Sequence, residues 1–198
     1  MNQPIWHEPL VTRSQRWNKH GLAGATVWLT GLSGSGKSTI ATELARELLN
    51  TSRLSYILDA DNLRHGLNSN LGFSDADRIE NIRRMAEVAC LFADAGLVAI
   101  VPIISPFIAS RELARKIHTD HKLRFIEVHV ATPVDECERR DPKGLYAKVR
   151  SGQMTGLSGV DSAYEPPTSP DVVVGAQGET LSESVEMILK SLLVKAGS

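Results

Sequence analysis

The chain has 198 residues, of which 42% are hydrophobic and 23% charged, with a formal net charge of −1. That length and composition suit a soluble α/β domain with a sizeable core. The near-zero charge excludes a global field drawing the chain to nucleic acid or a membrane surface, and the longest apolar run, residues 97–104, is too short to span a bilayer.

Residues 1–25 are polar but carry Trp6, His7, Trp17 and His20. They read as an arm that packs on the body or on a second subunit, because tryptophans seek a partner. The start lacks the basic and apolar segments of a secretory signal, and a cytoplasmic location is expected. Residues 26–198 read as a single domain. Residues 26–30 form an apolar run that predicts a buried strand, and residues 39–49 predict a helix with Ile40, Leu44 and Leu48 on one face. Between them lies Gly31-Leu32-Ser33-Gly34-Ser35-Gly36-Lys37-Ser38. Strand, glycine-rich turn and helix in that order make a phosphate-binding P-loop. The glycines let successive N–H groups face one cavity, and the helix dipole points its positive end there. Lys37 can reach the β- and γ-phosphates, and Ser38 can place its hydroxyl on magnesium.

A second strand is expected over 53–59, followed by the polar cluster 59–68 past its carboxyl end, where ligands bind in open parallel sheets. Asp59 is placed to hold magnesium through water, and Asp61 to accept a hydroxyl proton. One of the pair can instead cap a helix starting near Asn62. Phe73 sits in the polar loop 70–74, where it reads as a purine-stacking ring or, with a slight preference, a core aromatic. Residues 75–95 predict a long amphipathic helix ended by Gly96. Arg64, Arg78, Arg83 and Arg84 are expected around the acidic cluster as forks for an anionic second ligand. Arg64 and Arg78 favour the site, and Arg84 is balanced between site and solvated face.

Residues 97–102 predict a third strand, 111–118 a helix, 125–130 a fourth strand and 133–140 a short helix. Residues 141–170, rich in glycine and proline, are long for a connection and read as a mobile lid. The lid start and the helix before it carry Arg139, Arg140, Lys143, Lys148 and Arg150, suited to closing over phosphates. Residues 171–174 predict a fifth strand, and the last helix is lined by Leu181, Val185, Ile188, Leu189 and Leu192. The alternation predicts a P-loop NTPase-type α/β three-layer sandwich, a five-stranded parallel sheet with helices on both faces. Cys90 and Cys137 match no metal spacing and read as buried thiols. The histidines show no metal-ligand pattern either: His129 reads as a strand residue, and His118 and His121 as surface.

Beyond the P-loop, the stretches Asp61-Asn62-Leu63-Arg64-His65-Gly66-Leu67-Asn68, Leu71-Gly72-Phe73-Ser74, Arg78-Ile79-Glu80-Asn81-Ile82-Arg83-Arg84, Ile104-Ser105-Pro106 and Asp141-Pro142-Lys143-Gly144-Leu145-Tyr146 resemble the adenylylsulfate kinases of sulfate assimilation. The resemblance extends to Gly159-Val160-Asp161 and Tyr164-Glu165 and covers nearly the whole chain. It implies transfer of the γ-phosphate of ATP to the 3′-hydroxyl of adenosine 5′-phosphosulfate, with magnesium, as a homodimer, downstream of a sulfate adenylyltransferase. It implies that Gly31, Leu32, Ser33, Gly34, Ser35, Gly36, Lys37, Ser38, Thr39 and Arg140 hold ATP. The acceptor would be held by Asp61, Arg64, Phe73, Arg78, Asn81, Ile104, Ser105, Lys143 and Leu157. Asp61, Lys37 and Lys143 would carry the catalysis. Ser105 corresponds to a serine described in the family as a phosphoserine intermediate, a covalent step that in-line transfer does not need. Asn70 and Ala60 replace a common aspartate and glycine, and Ile108 a frequent basic residue. Leu157 stands where the family usually has a second aromatic against the substrate's adenine. Two alternatives remain at this stage: a P-loop kinase for another small anionic acceptor, and a non-catalytic nucleotide-dependent switch. The Asn-Lys-x-Asp motif of guanine-reading switches is absent.

Overall fold

A computed structural model describes residues 5, 7, 9–20 and 23–193. Its five strands are β1 (Ala25–Thr30), β2 (Ser55–Ile57), β3 (Val98–Pro102), β4 (Arg124–Val130) and β5 (Val172–Val174), and every pairing is parallel. The spatial order is β2-β3-β1-β4-β5, so β1 is central. That position explains its sequence. Every residue of β1 is buried, because helices cover both faces of the sheet.

Alternation divides the core in two. Val27 and Leu29 face helix α2 (Lys37–Asn50) and helix α8 (Leu181–Leu193), among Leu44, Leu48, Val185 and Ile188. Trp28 points the other way, against α4 (Asp75–Ala95) and α5 (Ile108–Asp120), among Ile82, Met85, Ala86 and Phe125. This is the expected three-layer sandwich. Ser74 caps α4, its hydroxyl accepting the Asp77 N–H at 3.2 Å. Gly96 ends the helix at φ +103°, as the sequence predicts. Cys90 and Cys137 are free and buried.

Three expectations need correction. Only Ser55–Ile57 of the predicted 53–59 run is strand, although the Leu54 carbonyl and Leu58 N–H still bond to β3, and Asp59 already caps the next helix. His118 is fully buried, not on the surface. It lies one turn after Ala114 on the inner face of α5, and its Nδ1 donates to the Ala114 carbonyl at 2.8 Å. Its Nε2 then accepts from the Thr26 hydroxyl, also at 2.8 Å, and desolvation holds the ring below its usual pKa. His121 is exposed, as read. Finally, the 141–170 segment has structure of its own, helix α7 (Leu145–Arg150), whose single turn and a half is too short to produce a periodic signal.

The arm contains helix α1 (Arg13–His20), which sequence periodicity did not reveal. It docks on the end of α4. Arg13 Nε meets Asp94 Oδ1 at 2.6 Å, Arg16 reaches the other carboxylate oxygen, and the Trp17 indole donates to the Asp94 carbonyl at 3.1 Å. Trp17 packs on Cys90, Ala93 and Leu123, so this tryptophan finds its partner on the body. Trp6 lies outside the described residues. Asp94→Ala is expected to free α1 while lowering overall stability by no more than about 2 kcal/mol, since both pairs are partly solvated. Trypsin should then cut after Arg13 and Arg16 faster than in the parent. Equal cleavage would show that Trp17 packing alone holds the helix.

Candidate active site

Chain geometry around the P-loop leaves no room for side chains at two points. A Cβ at Gly31 (φ +154°) would meet the Val130 carbonyl oxygen at 2.5 Å, and one at Gly34 (φ +75°) the Cys137 carbonyl oxygen at 2.8 Å. The loop is therefore wedged between the end of β4 and helix α6 (Val134–Arg140). Lys37 opens α2 and is buried. Its ammonium donates to the Gly31 carbonyl at 3.0 Å, the Leu32 carbonyl at 2.6 Å and the Ser35 hydroxyl at 3.4 Å. Desolvation lowers it to about 8. Ser38 and Thr39 follow, exposed on the cavity side of the helix start.

The cavity, of about 480 Å³, is walled by the P-loop, the carboxyl ends of β2 and β3, the start of α4 and the 141–170 segment. Asp59, just past β2, caps the short helix α3 (Ala60–Leu63), its Oδ1 accepting the Asp61 and Asn62 N–H groups at 2.9 and 3.1 Å. The capping alternative thus holds for Asp59, whose carboxylate still faces the cavity. Asp61 is exposed and pairs with Lys143 across the cavity.

The arginines separate into two groups. Arg64 and Arg78 line the cavity; Arg83 and Arg84 do not. Arg83 and Arg84 both bind Glu80 on the outer face of α4, and Arg84 also ties down the Leu67 carbonyl and Asn70. A carboxylate three and four residues away captures them first. Arg64 donates to the Leu71 and Gly72 carbonyls at 3.1 and 3.0 Å, and its guanidinium lies 4.3 Å from the Phe73 ring centroid. Phe73 is 71% exposed, which overturns the core-aromatic preference: the ring stands at the cavity edge, held by Arg64.

Asn81 is buried at the cavity wall, with its side-chain carbonyl accepting from Asn68 at 2.9 Å. Ile104 and Ser105 close the floor at the end of β3. Ser105 is buried at φ +43°, and its hydroxyl accepts from the Trp28 indole at 3.2 Å. The buried Arg111 guanidinium pins its carbonyl at 2.6 Å.

Lys143 and Arg140 reach the cavity, Arg140 while also paired with Glu136 at 2.7 Å, and Arg139 and Arg150 are paired with Glu136 and Glu138. The basic stretch is therefore less available than its charge suggested, because Glu136 lies one turn before Arg139 and Arg140, and Glu138 on α6 meets Arg150 on α7. Leu157 is buried with Tyr146 and Cys137 in a small core while also lining the cavity.

Sequence reasoning missed a second hollow, about 250 Å³, behind the P-loop. Ser35, Thr39, Thr132, Arg140 and Gly175 line it, and the Thr132 hydroxyl donates to the Ser35 carbonyl at 2.9 Å. The usable signal was the glycine pair Gly175 and Gly178 just past β5, both at positive φ, at the sheet edge where ligands gather.

A family profile described as adenylylsulphate kinase matches residues 23–175. The adenylyl-sulfate kinase of Clostridium kluyveri is 51% identical over 190 residues, covering 96% of this chain and 94% of the relative. The bifunctional enzyme CysN/CysC of Mycobacterium tuberculosis is 54% identical over 168 residues, 85% of this chain and 27% of that one. Among solved structures, the Mycobacterium tuberculosis APS kinase CysC in complex with AMPPNP and APS superposes with a TM-score of 0.83 at 50% identity, over 86% of this chain and 98% of that one. A P-loop beside a cavity bearing two arginines and an exposed aromatic, together with these matches, places the chain in the adenylylsulfate kinase family.

Proposed function

We propose that the protein transfers the γ-phosphate of ATP to the 3′-hydroxyl of adenosine 5′-phosphosulfate. The observation that carries this is one continuous cavity with the P-loop at one end and Arg64, Phe73, Arg78 and Asn81 at the other. A phosphoryl donor and a nucleotide acceptor then meet end to end, as in-line transfer requires. The family relatives named for this activity, and the one solved with AMPPNP and APS, support the same assignment.

In this reading the triphosphate lies on the N–H groups of Gly34 to Thr39, at the positive end of α2. The hollow behind the loop, with Thr132 and Arg140, takes its base. Lys37 exchanges its carbonyl partners for phosphate oxygens. Magnesium, when bound, would neutralise phosphate charge; Ser38 and, through water, Asp59 would hold it. The residues fit that role: an exposed hydroxyl at the helix start, and a carboxylate with its second oxygen not used in capping, suit a hard ion that keeps several waters. On the acceptor side, Phe73 stacks on adenine, Leu157 covers its other face, and Arg64, Arg78 and Asn81 hold the phosphosulfate, with Ile104 and Ser105 beneath. Asp61 takes the hydroxyl proton, and Lys143 leaves Asp61 for the transferring phosphoryl group. Segment 141–170 closes over both substrates. The fused CysN/CysC relative and a hexameric APS kinase from Thiobacillus denitrificans favour an oligomer, expected to be a homodimer, working beside a sulfate adenylyltransferase. No helix among the described residues is long and apolar enough to cross a membrane.

The decisive assay is ADP release with adenosine 5′-phosphosulfate, AMP and gluconate offered in parallel. Turnover with only the phosphosulfate is expected, and turnover with another acceptor alone would overturn the proposal. Asp61→Asn should lower kcat about 10²–10⁴-fold, with little change in either dissociation constant. A drop below about tenfold would make Asp61 a spectator.

Lys37 gives a pH signature. Only the ammonium binds phosphate, and phosphate charge holds its proton more tightly in the complex than in the free protein, where it leaves near pH 8. Affinity for ATP should therefore be flat below pH 8 and fall above it, by up to about tenfold per unit. Lys37→Arg, which keeps its charge, should bind more weakly but without that slope. Calorimetric titration of both proteins from neutral to alkaline pH checks this; a flat profile in the parent contradicts it.

A further inference from the structure

Asp161 lies in the 141–170 segment and is not part of the cavity wall. Its carboxylate is turned back onto the main chain. Oδ2 accepts the Gly156 N–H at 2.8 Å, and Oδ1 the Leu157 N–H at 2.7 Å. The intervening residues are knotted by the Leu157 carbonyl, which accepts from the N–H groups of Val160, Asp161 and Ser162 at 3.1, 3.3 and 3.2 Å. The knot has a fixed outer surface. It presents the Gly156 carbonyl, the Ser158 hydroxyl and the Leu157 side chain to the acceptor end of the cavity.

Arg78 reads that surface. Its Nη2 donates to the Gly156 carbonyl at 2.7 Å, its Nη1 to the Ser158 hydroxyl at 3.0 Å, and its Nε to the Phe73 carbonyl at 2.9 Å. Three donors are thus fixed by backbone and hydroxyl groups from two separate loops. A guanidinium has five N–H groups in a rigid plane, so two remain, one on each Nη, and their direction follows from the other three. Arg78 lines the cavity, and those two are the ones left for an anionic ligand.

We infer that Asp161 is a positioning residue for the acceptor site: by clamping the Gly156 and Leu157 amides it sets the turn that aims Arg78. Loss of the carboxylate lets Gly156, at φ +83°, move its carbonyl, and Arg78 loses the direction of its fork. The hydrogen bonds of the carboxylate to Gly156 and Leu157 stay within the segment, so its loss is expected to act first on the acceptor side.

This rests on the acceptor reading given above, and the test separates the two. Steady-state kinetics with ATP and adenosine 5′-phosphosulfate would be measured for the parent, Asp161→Asn, Asp161→Ala, Arg78→Lys and the Asp161→Asn/Arg78→Lys double variant. Asp161→Ala should raise the KM for the phosphosulfate about tenfold, with Asp161→Asn intermediate because its amide oxygen still accepts one N–H. The KM for ATP and kcat at saturation should stay within about twofold. The double variant should be no worse than Arg78→Lys alone, because the carboxylate acts through that arginine. Multiplying effects in the double variant, or an ATP KM rising in step, would make Asp161 a general stabiliser of the segment and overturn the inference. Amide exchange on the ligand-free proteins gives an independent arm. Gly156 and Leu157 should exchange faster in Asp161→Asn, and unchanged protection there overturns the clamp even in a folded, active variant. Should the parent not phosphorylate the phosphosulfate, the functional proposal fails, while faster exchange would still uphold the clamp.

Discussion

An ammonium is held where water hardly reaches, and the architecture follows from that constraint. Lys37 is buried, and its ammonium is hydrogen-bonded to two P-loop carbonyls and a hydroxyl, with the Asp61 carboxylate adding a favourable charge. Such a charge costs free energy unless a rigid polar cradle surrounds it. Rigidity comes from β1, buried on both faces, which delivers the loop to the centre of the sheet edge. It comes also from Val130 and Cys137, whose carbonyls abut Gly31 and Gly34. The same cradle is what a triphosphate needs, so the groups that stabilise the lysine are the ones it surrenders to a ligand.

The lid is built onto this cradle rather than hinged away from it. The Tyr146 hydroxyl donates to the Ser33 carbonyl at 2.9 Å. Leu32 packs on the small core of Cys137, Tyr146 and Leu157, and Gly159 leaves room for the Leu32 side chain. Donor and acceptor ends are therefore mechanically joined through a handful of apolar contacts. A core this small costs less to open than the two large clusters on the sheet, which is what the proposed closure of 141–170 over both substrates would use.

Much of this was legible in the sequence because it rested on local rules. The P-loop, the buried first strand and the α4 boundaries follow from spacing and glycine positions, and Asp61, Arg64 and Arg78 from the polar cluster past β2 and the family-like motifs. What escaped needed partners distant in sequence. Helix α1 is marginal alone and is fixed by Asp94, some 77 to 81 residues away. The burial of His118 depends on Thr26 across the sheet. The fate of Arg83, Arg84, Arg139 and Arg150 was set by nearby glutamates, a competition that charge counting does not resolve. Phe73 was misjudged because its partner is a cation, not a core.

The arginines carry a wider point about how this site reads an anion. Arg64 and Arg78 line the cavity and each spend donors on main-chain carbonyls. A free lysine or arginine would have to lose its side-chain freedom on binding. Here that entropy is already lost on folding, and the loops the arginines tie together are the walls of the cavity. The guanidinium plane makes this possible, because one edge can brace a loop while another faces a ligand. A lysine, a point charge on a flexible stem, cannot do both. In the proposed function the acceptor end is accordingly built from arginines, whereas Lys37 and Lys143, which there exchange partners for phosphate, are lysines.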